Sequence, residues 1–559
     1  MPEKNKPSLL LTLGAAGLLI GGGVAAYWVL SQQTLSGDMP VGANIIPQDA
    51  LLTVSVSTDS DQWQQLRQFG TKNTQAQLDK NLAQLGDYFL TANGYNYQKD
   101  IQPWVGEEVT IAFLPPQNNT PTKKSPAADK QQSLVMVLPI ENTAAAKQVL
   151  DKRLQQGKWT TRNYKGVQIK ETQGLPTQNY STTVLDDLLV VTDNPQATER
   201  AIDTYKGGAA IIKTSGYTQA LRKIKAPHFA QVYVNIPAAA RVAAINPARA
   251  FSPQRLQLQN YQGLASTISL ESEGIKFKSI SWLKQDSQDV SEVAAGMQNR
   301  LPAETLMMIS GSNLQQLWQD YAQGAKSNPL APLAPENLRG GVKSLTGLDL
   351  EQDLLKWMGE FSLAVIPAAP KAGESEDFAL SLLLMVETRD RALAEKALEQ
   401  IDRVISRQYQ FQIQKTQVAG KPVVNWISPF GTLTATHGWL DQDVAFLTLG
   451  APIAARILPN PPTTLASTQQ FQKTLSSELK PTNGQFFLDV TPTIQALPLP
   501  QFFPNQQILL EAIRSIGLTS AKSDQRSTRY DIVVLLKKVG ESSTIDQPMP
   551  VTPQPSASP

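Results

Sequence analysis

The sequence predicts an α+β protein, with a mainly antiparallel sheet and helices set between the strands, in two tandem copies behind a membrane-spanning helix. Three observations carry this. One stretch occurs twice: Gly94-Tyr95-Asn96-Tyr97-Gln98-Lys99-Asp100-Ile101-Gln102-Pro103-Trp104-Val105-Gly106-Glu107, and then Gly347-Leu348-Asp349-Leu350-Glu351-Gln352-Asp353-Leu354-Leu355-Lys356-Trp357-Met358-Gly359-Glu360. Short alternating runs in meander order alternate with amphipathic runs but never in strict β-α-β succession, which points to antiparallel rather than doubly wound parallel sheet. Finally, Ser8 to Leu30 carries no charge.

That segment comes first in the chain. As a helix its 23 residues span roughly 34 Å, enough for a hydrocarbon core of ~30 Å. Lys4 and Lys6 precede it and no Lys or Arg follows until Arg67, so the positive-inside rule puts the N-terminus in the cytoplasm and the rest across the membrane. A cleaved signal peptide is the alternative, with Gly23-Val24-Ala25 as its site. Tyr27 and Trp28 read as an interfacial belt and favour the uncleaved anchor. Residues 1–7 are then a cytoplasmic N-terminus, 8–30 the anchor and 31–44 a linker.

The first copy, 45–285, opens at Ile45-Ile46-Pro47. Leu51 to Ser57 alternates as a strand and Asp59 to Leu90 reads mainly as helix. In the repeated stretch Asn96 and Asp349 stand where an N-cap belongs, with Gln352 three residues after Asp349 as a capping box requires. Strands are expected at Glu108–Leu114 and Ser133–Leu138, around a tip at Pro115 to Gln132, and then a helix at Thr143–Leu154. Strands follow near Lys158–Asn163, Val167–Glu171, Thr182–Leu185 and Leu188–Thr192, then helices at Pro195–Tyr205 and Tyr217–Ile224. Phe229–Asn235, Leu264–Leu270 and Ile275–Leu283 close the copy as strands.

The same order returns about 255 residues later, in 300–540 after a linker at 286–299. Pro47 and Trp63 match Pro302 and Trp318 at a shift of 255, Trp104 matches Trp357 at 253, and Pro115 matches Pro367 at 252. So steady a shift in one order implies duplication into paired domains. The tail, 541–559, holds five prolines among Ser, Thr and Gln and reads as disordered.

Bulk composition narrows function by exclusion. With 559 residues and 41% apolar content the chain can build two to four cored domains. A balance of 50 basic against 48 acidic residues lacks the basic field that nucleic acid requires. The absence of cysteine removes disulfides, thiolate metal sites and cysteine catalysis.

The anchor, Ile46-Pro47 and the Asp-x3-Trp-x-Gly-Glu stretches at Asp100 to Glu107 and Asp353 to Glu360 resemble an uncharacterised family of membrane-anchored bacterial proteins, best represented in cyanobacteria. Its domain is of unknown function. The resemblance covers residues 1 to 540 and implies an exported domain held at a membrane, facing a periplasm or thylakoid lumen. It supplies no reaction, cofactor or catalytic residue.

No catalytic set emerges. His228 and His437 are the two histidines, each read as a lone exposed or turn residue, and no cofactor or metal is expected. Asp441-Gln442-Asp443 reads as a hairpin turn rather than a Ca2+ loop. Ser477-Glu478-Leu479-Lys480 matches Ser-x-x-Lys without its companion signatures, and reads as a solvated helix end. Asp100, Asp353, Glu107 and Glu360 are conceivable as paired carboxylates, but recurrence in both copies favours structure. Aspartate complements a helix dipole, Trp104 and Trp357 anchor cores, and Gly106 and Gly359 permit a tight exit. Gly94 and Gly347 open the two stretches. The expected function is a non-enzymatic binding or assembly protein with a protein partner, on the exported side of a membrane. The alternatives are a carrier of lipid or pigment in a sheet cavity or between the copies and, remotely, a serine hydrolase using Ser477 and Lys480.

Overall fold

The structure is a computed structural model that describes residues 39–89, 96–116, 132–156, 159–172, 180–245, 260–285, 296–325, 334–368, 378–497 and 506–540. The anchor, Gly94, most of the 115–132 tip and the tail lie outside these residues.

Among the described residues twenty strands form one antiparallel sheet. The first ten are β1 (Leu52–Ser57), β2 (Glu108–Leu114), β3 (Ser133–Pro139), β4 (Trp159–Tyr164), β5 (Val167–Thr172), β6 (Ser181–Leu185), β7 (Leu188–Thr192), β8 (Ala230–Val234), β9 (Tyr261–Glu271) and β10 (Gly274–Leu283). The second ten are β11 (Met307–Gly311), β12 (Met358–Pro367), β13 (Leu380–Thr388), β14 (Gln412–Val418), β15 (Lys421–Ile427), β16 (Leu433–Trp439), β17 (Val444–Gly450), β18 (Gly484–Asp489), β19 (Ile513–Lys522) and β20 (Ser527–Leu536). In the first half the spatial order is β4-β5-β6-β7-β3-β2-β1-β8-β9-β10. In the second it is β14-β15-β16-β17-β13-β12-β11-β18-β19-β20. The two sets join edge to edge, β10 against β20.

Each half builds a packed core on both faces of the sheet, because its strands carry apolar side chains on both. Ala112, Val135, Val137, Tyr233, Ala265 and Ile280 pack on one face, here the front, beneath helices Pro195–Tyr205 and Tyr217–Lys223. Trp104, Phe113, Met136 and Leu138 pack on the back with Ala146 of helix Thr143–Gln156. In the second half Met308, Ala364 and Phe487 lie under Phe471 on the front. There Trp357, Phe361 and Val386 meet Ala394 and Ala397 of helix Arg391–Tyr409 on the back.

Several expectations need correction. The helix read as Asp59 to Leu90 is two, Ser60–Leu66 and Lys72–Phe89. Between them the chain pairs with the end of the sheet: Gly70 N–H donates to Lys537 O at 2.7 Å and Val539 N–H to Gln68 O at 2.9 Å. Gly70 takes φ +100° there, a value that suits glycine. The linkers are shorter than read. Ala43 is buried and Val41 packs on the front core, while Met297 is buried in the core of the second half. Among the described residues no helix is long and apolar enough to cross a membrane.

Candidate functional site

The repeated stretch folds the same way twice, around a five-residue π-helical turn at Tyr97–Ile101 and at Leu350–Leu354. Asn96 caps the first through Lys99 N–H at 3.1 Å, and Asp349 caps the second through Gln352 N–H at 3.0 Å. The reciprocal bond comes from the aspartate four residues on, not from Gln352. Asp100 Oδ2 accepts Asn96 N–H and Asp353 Oδ2 accepts Asp349 N–H, each at 2.7 Å. The wider π turn moves the answering side chain from the third position to the fourth. The same aspartates hold the tryptophans through their backbone. Trp104 Nε1–H donates to Asp100 O at 2.6 Å and Trp357 Nε1–H to Asp353 O at 3.1 Å.

Beyond the tryptophan the two stretches fall out of step by one residue. Register places Glu108, not Glu107, opposite Ser57, and Phe361 opposite Gly311. Glu360 Oε1 accepts Gly296 N–H at 3.0 Å and Met297 N–H at 3.3 Å, where the chain enters the second half. In the first half the comparable contact is made by Glu108, whose Oε1 accepts Val41 N–H at 3.0 Å. Glu107 contributes its carbonyl, which accepts Thr58 N–H at 2.8 Å. Gly106 and Gly359 are needed for close approach: an added Cβ would meet Pro139 Cγ at 3.0 Å in one and Glu387 O at 3.2 Å in the other. Gly347 ends helix Pro335–Thr346 at φ +71°. The carboxylates of Asp100, Asp353 and Glu360 are thus taken up by main-chain amides.

The histidines are neither exposed nor in turns. His437 is buried in β16 with Nε2 2.9 Å from Asp402 Oδ1, and His228 Nε2 lies 3.2 Å from Glu108 Oε2. Burial, the largest influence on His228, opposes its charge, yet Glu108 and the Ala226 carbonyl together hold its pKa above the usual histidine value. Asp441 makes the expected turn, accepting Asp443 N–H and Val444 N–H. Among the described residues no three His, Asp or Glu side chains gather as a metal site. Ser477 and Lys480 are exposed on a bend rather than a helix, so they lack the one-turn spacing that a serine-lysine pair uses.

What that segment does supply is Glu478, at the seam where β10 meets β20. Glu478 pairs with Lys278 at 2.8 Å, Arg529 at 3.2 Å and Lys276, bridging strands of both halves. Burial pushes its carboxyl up, but the hydrogen bonds and charges of Lys276 and Lys278 outweigh this and hold it at about 2. Arg529 grips the fully buried Asp531 at 3.0 and 3.1 Å, and Ser476 Oγ–H donates to it at 2.8 Å. Lys223 adds an ion pair with Asp524 beside a cavity of about 400 Å3 lined in part by Trp282.

Register extends the seam into a row along the front. From Lys278 it passes to Thr267, Gln231, Ser55 and Thr110. From Asp531, opposite Lys278, it passes to Thr519, Gln485, Ser310 and Ser362. Directly paired residues share a face, so ten polar side chains line up across ten strands. Thr267, Thr519 and Ser362 are fully buried with unpartnered hydroxyls. On the back, one residue along, the row is Phe277, Ile532, Leu518, Phe486 and Ile309. All five are half-buried, Phe277 packed against the cluster around Trp63 and Ile309 against the cluster around Trp357. At the seam the sheet therefore buries its hydroxyls and leaves Ile532, Leu518 and Phe486 partly in water, the reverse of the usual preference.

The geometry defines an α+β protein built on one continuous antiparallel sheet with a charged seam. Residues 12–536 match the family described as protein of unknown function (DUF3352), and the chain belongs to that family. No curated protein matches the sequence. Among solved structures, crystal form I of TP0453 aligns with a TM-score of 0.25 at 7% identity, covering 45% of this chain and 82% of that one. Crystal form IV gives 0.24 at 8% identity, covering 44% and 80%.

Proposed function

We propose that the chain is a non-enzymatic binding or assembly protein whose partner is another protein, docked on the back of the sheet where the halves meet. The observation that carries this is the half-buried row Ile532, Leu518 and Phe486 on three neighbouring strands, continued at its ends by Phe277 and Ile309 where the row meets the two back cores. Contiguous apolar surface of this kind marks interaction sites. A sheet face suits a protein better than a lipid, which needs a concave apolar pocket, and both seam cavities have charged side chains in their walls. The wider reading is of a duplicated domain, anchored through Ser8–Leu30 and working in a periplasm or thylakoid lumen, as in membrane-anchored cyanobacterial proteins. The parallel pairing orders and the steady sequence shift support the duplication.

The test is a photo-crosslinking side chain at Leu518, activated in native membranes before mild-detergent purification and mass spectrometry of proteins and lipids. A discrete protein adduct, lost in Phe486→Ser with unchanged melting, supports the proposal. Adducts to lipid or pigment alone favour the carrier reading instead. No adduct refutes both.

A further inference from the structure

We propose that the second seam cavity binds a small oxyanion, a carboxylate or phosphate group, through Lys473, Arg514 and Lys537. The cavity holds about 630 Å3 on the front of the sheet, between the Glu273 turn of the first half and helix Gln469–Thr474 of the second. Its walls carry three cations against two acids. Glu273 is shared by two of the cations, at 2.8 Å from Lys473 and 3.7 Å from Arg514. Burial pushes the other acid, Asp489, above the usual carboxylate range, which weakens it as a counter-charge.

That leaves Lys537. The residue is 7% exposed, its ammonium is shut off from water, and it has no hydrogen-bond partner. Arg514 Nε–H is buried and unpartnered as well. Leaving an ammonium dry and unpaired is among the costliest arrangements a protein can hold. The backbone fixes Lys537 between Ala512 and Gly70, at 2.8 and 2.7 Å, so the chain cannot move it elsewhere. Lys537 lines the cavity together with Leu535. An oxyanion placed there satisfies Lys537 and Arg514 at once and supplies the missing negative charge, with charge-assisted bonds to each.

The experiment uses the full chain in mild detergent. Melting is followed while inorganic phosphate is titrated at constant ionic strength against chloride, and flotation is measured with phosphatidylglycerol and phosphatidylcholine vesicles after the anchor is shielded in nanodiscs. Saturable stabilisation by phosphate, weakened at least ten-fold in Lys537→Met, is the expected result. Arg514→Gln, at a more exposed position, provides the same reading if Lys537→Met does not fold. Binding to phosphatidylglycerol alone, with the same dependence on Lys537, identifies the group as a lipid headgroup rather than a free anion. Absence of both responses in the wild type overturns the proposal, as does a phosphate response that survives both substitutions. The apolar row lies on the opposite face, so Phe486→Ser leaves this binding intact and the two proposals fail separately.

Discussion

Lys278 stands directly opposite Asp531 at the middle of the nine residue pairs that join β10 to β20, yet the two do not bridge. Lys278 reaches Glu478, and Asp531 is held by Arg529 and Ser476. The junction of the halves is thus a short network in which Glu478 meets Lys278 from outside the sheet, while Asp531 is met along its own strand by Arg529 and from beyond the strand by Ser476. Such an arrangement fixes register, because sliding β10 by one residue would carry Lys278 to the back and Phe277 to the front.

Asp531→Leu should destabilise the protein by up to about 3–5 kcal/mol, since it takes from the partly buried Arg529 guanidinium the nearer of its two carboxylates, leaving Glu478 at 3.2 Å, and strips Ser476 of its acceptor. Thr519→Val, one strand away in the same row, should change stability by no more than about 1 kcal/mol. Its hydroxyl has no partner to lose, and removing an unpaired buried polar group is nearly neutral or favourable. Denaturant midpoints of the two variants check the contrast. A costly Thr519→Val would mean that the row is bridged by ordered groups.

A pH dependence follows from His228. Its folded pKa is raised above the ordinary 6.5 by Glu108 despite burial. The stabilisation is therefore complete below 6.5 and is lost as pH rises through the higher folded value. His228→Gln should flatten that part of the stability profile, and Glu108→Gln should do the same. An unchanged profile in both variants refutes the assignment.

Asp193 has the same sign for a different reason. Burial lifts its carboxyl from 3.8 to about 6, although Leu134 N–H and the Asn194 amide donate to it. Stability from this group is full below 3.8 and lost as pH climbs to about 6. Asp193→Asn keeps an acceptor for Leu134 and removes the charge. It should be more stable than wild type at neutral pH, by up to about 3 kcal/mol at 1.36 kcal/mol per pKa unit. Equal melting temperatures at neutral pH would contradict this.

Most strands were legible in the sequence because alternation is a local signal: Glu108–Leu114 and Leu188–Thr192 fall where it puts them. Features set by distant partners were not. The break at Gly70 depends on Lys537 and Val539, far along the chain. The seam needs the register of β10 against β20, which neither strand encodes alone. Trp63 and Trp318 show how a one-residue step hides in a shared motif. Trp63 lies four residues after its N-cap Asp59, and Trp318 lies five after Asn313, which rotates it by about 100° on the helix. Trp63 accordingly meets Phe229 edge-on at 4.9 Å, whereas Trp318 donates to Glu351 at 2.8 Å beneath Arg339. The charged role of Glu478 was hidden inside a segment that attracted notice for Ser477 and Lys480.

The repeated stretch yields the sharpest prediction, because each polar atom has a defined partner. Trp357→Ala removes a buried indole from the cluster with Phe361 and Val386 and should cost about 3–5 kcal/mol. Trp357→Phe keeps most of that contact but takes the 3.1 Å donor from Asp353 O, a part-buried acceptor whose loss should cost toward the lower end of about 1–3 kcal/mol. Asp353→Asn retains an oxygen that can accept Asp349 N–H and should cost less than 1 kcal/mol, of the order of a lost charge at a helix start. Asp353→Ala loses that bond and should cost about 1–2 kcal/mol, a typical price for a missing cap. The ranking Trp357→Ala, Trp357→Phe, Asp353→Ala, Asp353→Asn is thus a graded series in melting temperature, with partner binding preserved in the last. If Asp353→Asn melts normally but loses the crosslinked partner, the stretch is a recognition motif and its structural reading fails.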